Sequence, residues 1–438
     1  MHRHPHLLAP LLVLLPAVPE DPPIPIEPAY KGAAVAYAGD VDLDGSGDVI
    51  VGAWWDESGK DRGSATIFSG KTGKRLLVVR GSGEGTLFGI AVAGGGDCNG
   101  DGTPDFAVGA PLEKVGGKVC GAVTVYSGRE AKVLFRLQGD SEDERFGWSV
   151  AMPRDANLDG NADVAVGAPR SSTPKAARTG EVRLFSGKTG KPLQSWKGAG
   201  EGDELGDSVA SAGDVNADGA SDVLASSWRA GYVWVLSGKD GKPLHELRGI
   251  GTGERFGWCA RGAGDTSQSG SGDVLVGVPG GAKDRAQLFD GKSGKLRRGF
   301  APVGKEGAEA FGFGLALDGA GDVNADGFAD VVVADPGGPS ALCDVTGTPL
   351  GGSFEKLLEP TARPGGVYVY SGHEGDLLYE LHGEAKNDRF GVSVASAGDA
   401  DQDGFGDLVV GAGRGLPYVA RIHAGPKGKL LQTLVLEK

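Results

Sequence analysis

Residues 399–407 read Asp-Ala-Asp-Gln-Asp-Gly-Phe-Gly-Asp, with carboxylates at positions one, three, five and nine and a glycine at position six. In such a loop alternate side chains turn inward, the glycine permits a sharp bend, and the seventh residue offers its carbonyl. The segment can therefore wrap a hard cation such as Ca2+, which takes roughly six to eight oxygens. Six further copies begin at Asp40, Asp97, Asp155, Asp214, Asp265 and Asp322, and every copy keeps the glycine at position six. The seven loops are spaced 57, 58, 59, 51, 57 and 77 residues apart. A repeat of this period constrains the architecture more than any other feature of the chain.

The first five ligand positions follow the pattern of an EF-hand loop, which needs a bidentate Glu at position twelve. Val410 stands there, within Leu408-Val409-Val410, a run that reads as a strand. The loop thus joins strands, not helices. A Phe-Gly pair precedes most copies by nine residues, at Phe88-Gly89, Phe146-Gly147, Phe256-Gly257, Phe313-Gly314 and Phe390-Gly391. The first unit has Lys31-Gly32 and the fourth Leu205-Gly206. The apolar run after the loop ends in Gly-Ala-Pro at 109–111 and 167–169 and drifts elsewhere, to Ser226-Ser227-Trp228 in the fourth unit. An alternating strand, a Ser-Gly-Lys-Thr-Gly type turn and a further strand complete each unit, as glycine-rich turns between short alternating runs imply. The expected fold class is all-β: a seven-bladed β-propeller of four-stranded antiparallel blades with calcium-binding hairpin loops. Radial closure would protect the sheet edges. Phenylalanine is expected between neighbouring blades, with looser packing where the first and fourth units lack it.

The repeat occupies residues 31–438 as one domain. Residues 1–18, with Arg3 ahead of an apolar run from Leu7 to Val18, resemble a secretory signal peptide, and the proline-rich 19–30 reads as a lead-in. A secreted, periplasmic or cell-surface location is expected, with no membrane span and a monomeric state. The net charge of −14 is local in origin, because the seven loops alone hold 22 carboxylates. An acidic chain of this kind is a poor partner for nucleic acid, whose phosphates call for Lys/Arg patches. The four cysteines, Cys98, Cys120, Cys259 and Cys343, fall at unrelated places in the repeat and are expected as free thiols.

Six loops carry full ligand sets. The side chains are Asp40, Asp42, Asp44 and Asp48; Asp97, Asn99, Asp101 and Asp105; Asp155, Asn157, Asp159 and Asp163; Asp214, Asn216, Asp218 and Asp222; Asp322, Asn324, Asp326 and Asp330; and Asp399, Asp401, Asp403 and Asp407. The carbonyls of Ser46, Thr103, Asn161, Ala220, Phe328 and Phe405 would complete them. About six Ca2+ sites are expected, since carboxylates so close together repel without a cation. The fifth loop offers Asp265, Ser267, Ser269 and Asp273, and is expected to be weak or empty.

These units resemble the FG-GAP repeats of integrin alpha-subunit propellers, whose name describes the Phe-Gly and Gly-Ala-Pro motifs quoted above. The resemblance covers residues 31–438. It implies Ca2+ in hairpin loops on one face and ligand-binding loops on the other. One departure is that Leu430 to Leu436 supplies the last strand of the last blade, so no strand is shared between the two ends of the chain. Asp265-Thr266-Ser267-Gln268-Ser269 also resembles the metal-ion-dependent adhesion motif of integrin I domains, but its register with the other loops makes it a decayed copy.

Ser-Gly-Lys-Thr-Gly at 69–73 and 186–190 lacks the upstream glycine of a phosphate loop, with Ala65 and Val182 there instead, and reads as a turn. His245, His373, His382 and His423 fall at different places in the repeat, and no catalytic constellation stands out. The expected function is an exported, non-enzymatic binding or adhesion module with structural calcium. A protein or glycan ligand would sit opposite the calcium loops, where Trp54, Trp55, Arg170, Trp228, Arg229 and the long segment 335–366 project. The alternatives are a lectin-like carbohydrate-binding propeller and a polysaccharide lyase or hydrolase.

Overall fold

The computed structural model describes residues 34–54, 62–249, 254–281, 283–302, 312–337, 364–386, 388–413, 418–425 and 427–436. The leader and lead-in, Lys31-Gly32, Trp55, Cys343 and residues 338–363 of the long segment lie outside these residues.

Seven four-stranded antiparallel sheets follow one another along the chain, each built from strands in chain order, with a small hairpin inserted within the second. The inner strands are Ala34–Gly39, Val92–Gly96, Ser149–Ala151, Ser208–Gly213, Ala260–Gly264, Ala316–Gly321 and Ser393–Gly398. Each packs beside the next, and the last packs beside the first, so the sheets close into a seven-bladed propeller. The second strands, for example Asp105–Ala110 and Asp407–Ala412, are buried throughout, as expected of the middle of a blade covered on both faces. Outer strands such as Pro192–Lys197 alternate toward solvent. The last blade uses Lys429–Leu436 as its own outer strand. An extra two-stranded hairpin, Lys114–Val115 with Lys118–Val119, rises from the second blade.

The two motifs of the repeat prove to be one device. In blades two, three, five and seven the Phe-Gly glycine donates its N–H to its own blade's Gly-Ala-Pro glycine, as Gly147 does to Gly167 O at 3.0 Å, and in blades four and six Ser226 O and Ala334 O accept in the same place. The carbonyl of the Phe-Gly glycine lies over the corresponding glycine of the preceding blade. A Cβ on Gly109 would stand 2.2 Å from Gly147 O, so only glycine admits this approach. Phe146 is fully buried in a cluster drawn from the second and third blades, where its ring meets Phe185 edge-on at 5.9 Å. Leu205 takes this place in the fourth blade and is also fully buried, packed with Trp196 and Tyr232. The looser packing expected there is not found, because the aromatic side chains around Leu205 fill the volume its smaller size leaves.

A single core cluster joins the last blade to the first, with Val49, Val51 and Phe68 against Ala397, Val409 and Leu434. Two side-chain bonds cross this join: Gln402 Nε2 to Asp44 O at 3.1 Å and Gln432 Nε2 to Lys71 O at 3.0 Å. Closure therefore rests on an interface and not on a shared strand.

Candidate metal loops and the opposite face

All seven acidic loops connect an inner strand to a second strand and lie on one face. The position-one aspartate organises each. In loop one, Asp40 Oδ1 accepts from Asp44 N at 3.0 Å and Oδ2 from Gly45 N at 2.9 Å. Asp399 repeats this with Asp403 and Gly404 at 3.0 Å each. The position-five carboxylate then accepts from the N–H of position seven, as Asp44 does from Ser46 at 2.9 Å. Position six is left-handed in every loop, which its glycine allows. Position four is left-handed too, and there Leu43, Leu158, Ala217, Gln268, Ala325 and Gln402 carry the strain at φ between 55° and 63°. Nothing in the residue pattern marks this second strained position.

The loops also link to one another around the ring. The N–H of position eight donates to the position-one carbonyl of the preceding blade's loop: Ala162 to Asp97, Ser221 to Asp155, Gly272 to Asp214, Ala329 to Asp265, Gly406 to Asp322 and Gly47 to Asp399, at 2.9–3.3 Å. Between the first and second blades the position is Pro104, which has no N–H to give.

The position-nine aspartate has a role that sequence reading missed. Asp48, Asp105, Asp163, Asp222, Asp330 and Asp407 are all fully buried. Asp407 Oδ2 accepts from Ala400 N at 2.7 Å, within its own loop, and Oδ1 accepts from Gly425 N at 3.1 Å, in the turn between the third and fourth strands. The same pair of bonds recurs in the other blades, with the Ser-Gly-Lys turn glycine as second donor in blades one and three, Gly70 and Gly187. Each position-nine carboxylate therefore ties the two hairpins of its blade together. Burial pushes the pKa of these six carboxyls up to about 6 in the absence of a metal, opposed by the backbone N–H groups that favour the charged form. The turn lysines add to the clasp: Lys71, Lys188 and Lys239 donate to the position-five carbonyls of Asp44, Asp159 and Asp218 at 3.2–3.3 Å.

Two loops bring three carboxylates together. One oxygen from each of Asp40, Asp42 and Asp48, and likewise from Asp399, Asp401 and Asp407, lies within 4.8 Å of the others. In loops two, three, four and six, asparagine holds position three. Its Nδ2 donates to the position-five carboxylate, as Asn99 does to Asp101 Oδ2 at 3.1 Å, and its Oδ1 accepts from that residue's N–H. The two acidic clusters fit a hard divalent cation: the donors are oxygens, and burial together with the like charges of Asp44 and Asp40 raises the pKa of Asp42. They are consistent with the Ca2+ sites of integrin propellers.

On the opposite face, the residue after the Phe-Gly glycine opens each inner strand. Trp148, Asp207 and Trp258 hold this position in blades three, four and five. Asp207 Oδ2 is buried and has no hydrogen-bond partner among the described residues. Burial raises its pKa well above the usual carboxylate range and Glu204 raises it further, against the pull of Arg229 and Arg170. Those arginines are committed elsewhere: Arg229 Nε donates to Glu204 Oε2 at 2.7 Å, and Arg170 pairs with Asp143 at 3.2 Å. Trp228 lies 5.3 Å from Trp258 and beneath the Arg229 guanidinium at 4.8 Å. Cys98, Cys120 and Cys259 are buried free thiols. Among the described residues no helix is long and apolar enough to cross a membrane.

Comparison with known proteins agrees with this geometry. A family model described as FG-GAP repeat matches residues 88–126 and 146–185. The chain is 30% identical over 213 residues to integrin alpha-5 of Xenopus laevis, covering 44% of this chain and 20% of that one. It is 28% identical over 213 residues to integrin alpha-V of Gallus gallus, with the same coverage. Integrin alpha-4 of Xenopus laevis is 34% identical over 169 residues, 36% of this chain and 16% of the relative. The chain thus matches a fifth or less of these relatives' length. The chain thus carries FG-GAP repeats at 88–126 and 146–185 and folds as a seven-bladed propeller that is similar in sequence to integrin alpha subunits.

Proposed function

We propose that the chain is an exported, calcium-stabilised binding or adhesion module without catalytic activity. Structural Ca2+ sits in six loops, held by the side chains at positions one, three, five and nine and the carbonyl at position seven. The observation that carries the binding role is Asp207, a carboxylate with a buried, unpartnered oxygen at the head of an inner strand, flanked in register by Trp148 and Trp258. A buried acceptor left unmatched costs stability and is retained where a ligand completes it. A protein presenting a polar side chain that can hydrogen-bond the unmatched carboxyl oxygen fits it best. A glycan is the second ligand class, favoured by the part-exposed Trp228–Trp258 pair.

Two measurements test this reading. A bound ion stabilises by RT ln(1 + [L]/Kd), about 2.7 kcal/mol per site at a hundredfold excess over Kd, so six sites respond strongly to a chelator. A thermal midpoint unmoved by chelator would refute structural calcium. Asp207→Ala and Trp228→Ala should abolish capture on arrays of extracellular proteins and glycans while leaving the melting temperature within a few degrees. Retained capture by both variants would move the ligand site elsewhere.

A further inference from the structure

Loop five departs from its six siblings at places that meet in space. Ser267 and Ser269 replace the acid or amide side chains at positions three and five. Thr266 stands at position two, where the others have valine, alanine or cysteine. Arg297, six residues past the turn glycine, stands where every other blade has leucine: Leu76, Leu134, Leu193, Leu244, Leu378 and Leu431. Arg297 comes 24 residues after Asp273, yet its Nη1 donates to Asp273 Oδ2 at 2.9 Å. It also donates to Thr266 Oγ1, which in turn donates to the same Oδ2 at 2.5 Å. Asp273 keeps the two backbone bonds of its siblings, from Thr266 N at 3.2 Å and Gly291 N at 2.9 Å. It is fully buried, and the Arg297 side chain is 23% exposed.

We infer that the fifth blade carries its own cation: the Arg297 guanidinium neutralises Asp273 where the other blades depend on a metal ion, and loop 265–273 takes no Ca2+. The donor set disagrees with a hard divalent ion, since only two carboxylates remain and one is already ion-paired. The substitutions are coordinated. Loss of the acid or amide at position three and of the carboxylate at position five removes the metal, gain of Arg297 restores the missing charge, and Thr266 bridges guanidinium and carboxylate. The calcium reading of the other loops supplies the contrast, but the Arg297 clasp stands on contacts of its own. The blade is thereby insensitive to calcium while its neighbours are not.

Amide hydrogen exchange of the full chain, read by mass spectrometry in excess Ca2+ and in chelator, tests this. Peptides spanning 265–273 should exchange at one rate in both conditions, whereas peptides spanning 399–407 should slow with Ca2+. Arg297→Leu should speed exchange in 265–273 by about a hundredfold or more in both conditions, because it leaves a buried charge unpaired. Arg297→Lys, which keeps the charge, should retain most of the protection. The triple variant Arg297→Leu/Ser267→Asn/Ser269→Asp should regain protection only with Ca2+ and bind one additional ion in equilibrium dialysis. Slowing of wild-type 265–273 by Ca2+ to the extent seen at 399–407 would overturn the inference, as would unchanged exchange in Arg297→Leu. Calcium insensitivity at 399–407 would count against the proposed function alone, and the Arg297→Leu result would still decide the clasp.

Discussion

Asp407→Ala separates the two roles assigned to a position-nine aspartate. The side chain is fully buried and accepts two buried backbone N–H bonds, from Ala400 at 2.7 Å and Gly425 at 3.1 Å, which hold the acidic loop to the neighbouring turn, besides a longer, part-buried one from Asp401 at 3.4 Å. Alanine offers neither donor a partner. Each buried donor left unmatched costs about 1–3 kcal/mol, so the range is roughly 2–6 kcal/mol. The lower half is expected, because a buried charge is removed at the same time and its own desolvation cost disappears. The hydrogen bonds need no metal, so the loss should persist in excess chelator. Asp407→Asn keeps one acceptor oxygen and should lose about half as much. Urea unfolding in chelator, followed by circular dichroism, reads the difference directly. If Asp407→Ala and wild type unfolded at the same urea concentration in chelator, Asp407 would act as a metal ligand alone and the hairpin clasp would be wrong.

Two further outcomes follow from the loops. Burial raises the six position-nine carboxyls from the ordinary 3.8 to about 6 in the metal-free fold, so the folded state binds more protons than the unfolded chain between those values. Stability in chelator should therefore fall as pH rises from about 4 to about 6. The stabilisation added by Ca2+ should be largest above that window, and thermal melts across it with and without calcium check both signs. Ala217→Gly relieves a left-handed alanine at φ 59° and should stabilise by about 0.5–1 kcal/mol, whereas Gly219→Ala, at φ 87° in the same loop, should destabilise by a similar amount or more. Paired urea titrations of the two variants test this.

Much of the architecture was legible because the repeat is written in residues that do local work. Acidic residues at alternate positions, a glycine at position six and paired small motifs at fixed offsets locate every blade in the described residues. The reason for Phe-Gly and Gly-Ala-Pro was not legible, since it lies in a contact between blades: Gly109 meets Gly147 across a span of 38 residues and through space alone. Position nine looked like one more ligand because the turn glycine that bonds it lies 16 to 42 residues further on. Arg297 was invisible for the same reason. It reads as an ordinary outer-strand residue until the fold lays it against Asp273. The ring of oxygens in loops one and seven was anticipated more fully than that in the asparagine-bearing loops, where the amide turns its Nδ2 toward the carboxylate at position five.

The hydrogen-bonded chain of loops around the metal face has six links and one gap. Every blade hands an N–H to the one before it except where Pro104 stands, so the face is a belt with its buckle between the first and second blades. A belt of this kind yields at the buckle: shear or thermal spreading of the ring has one junction on this face where no backbone bond must break. On this face the join between the chain's two ends, bonded from Gly47 N to Asp399 O at 3.3 Å, keeps a link that the first and second blades lack.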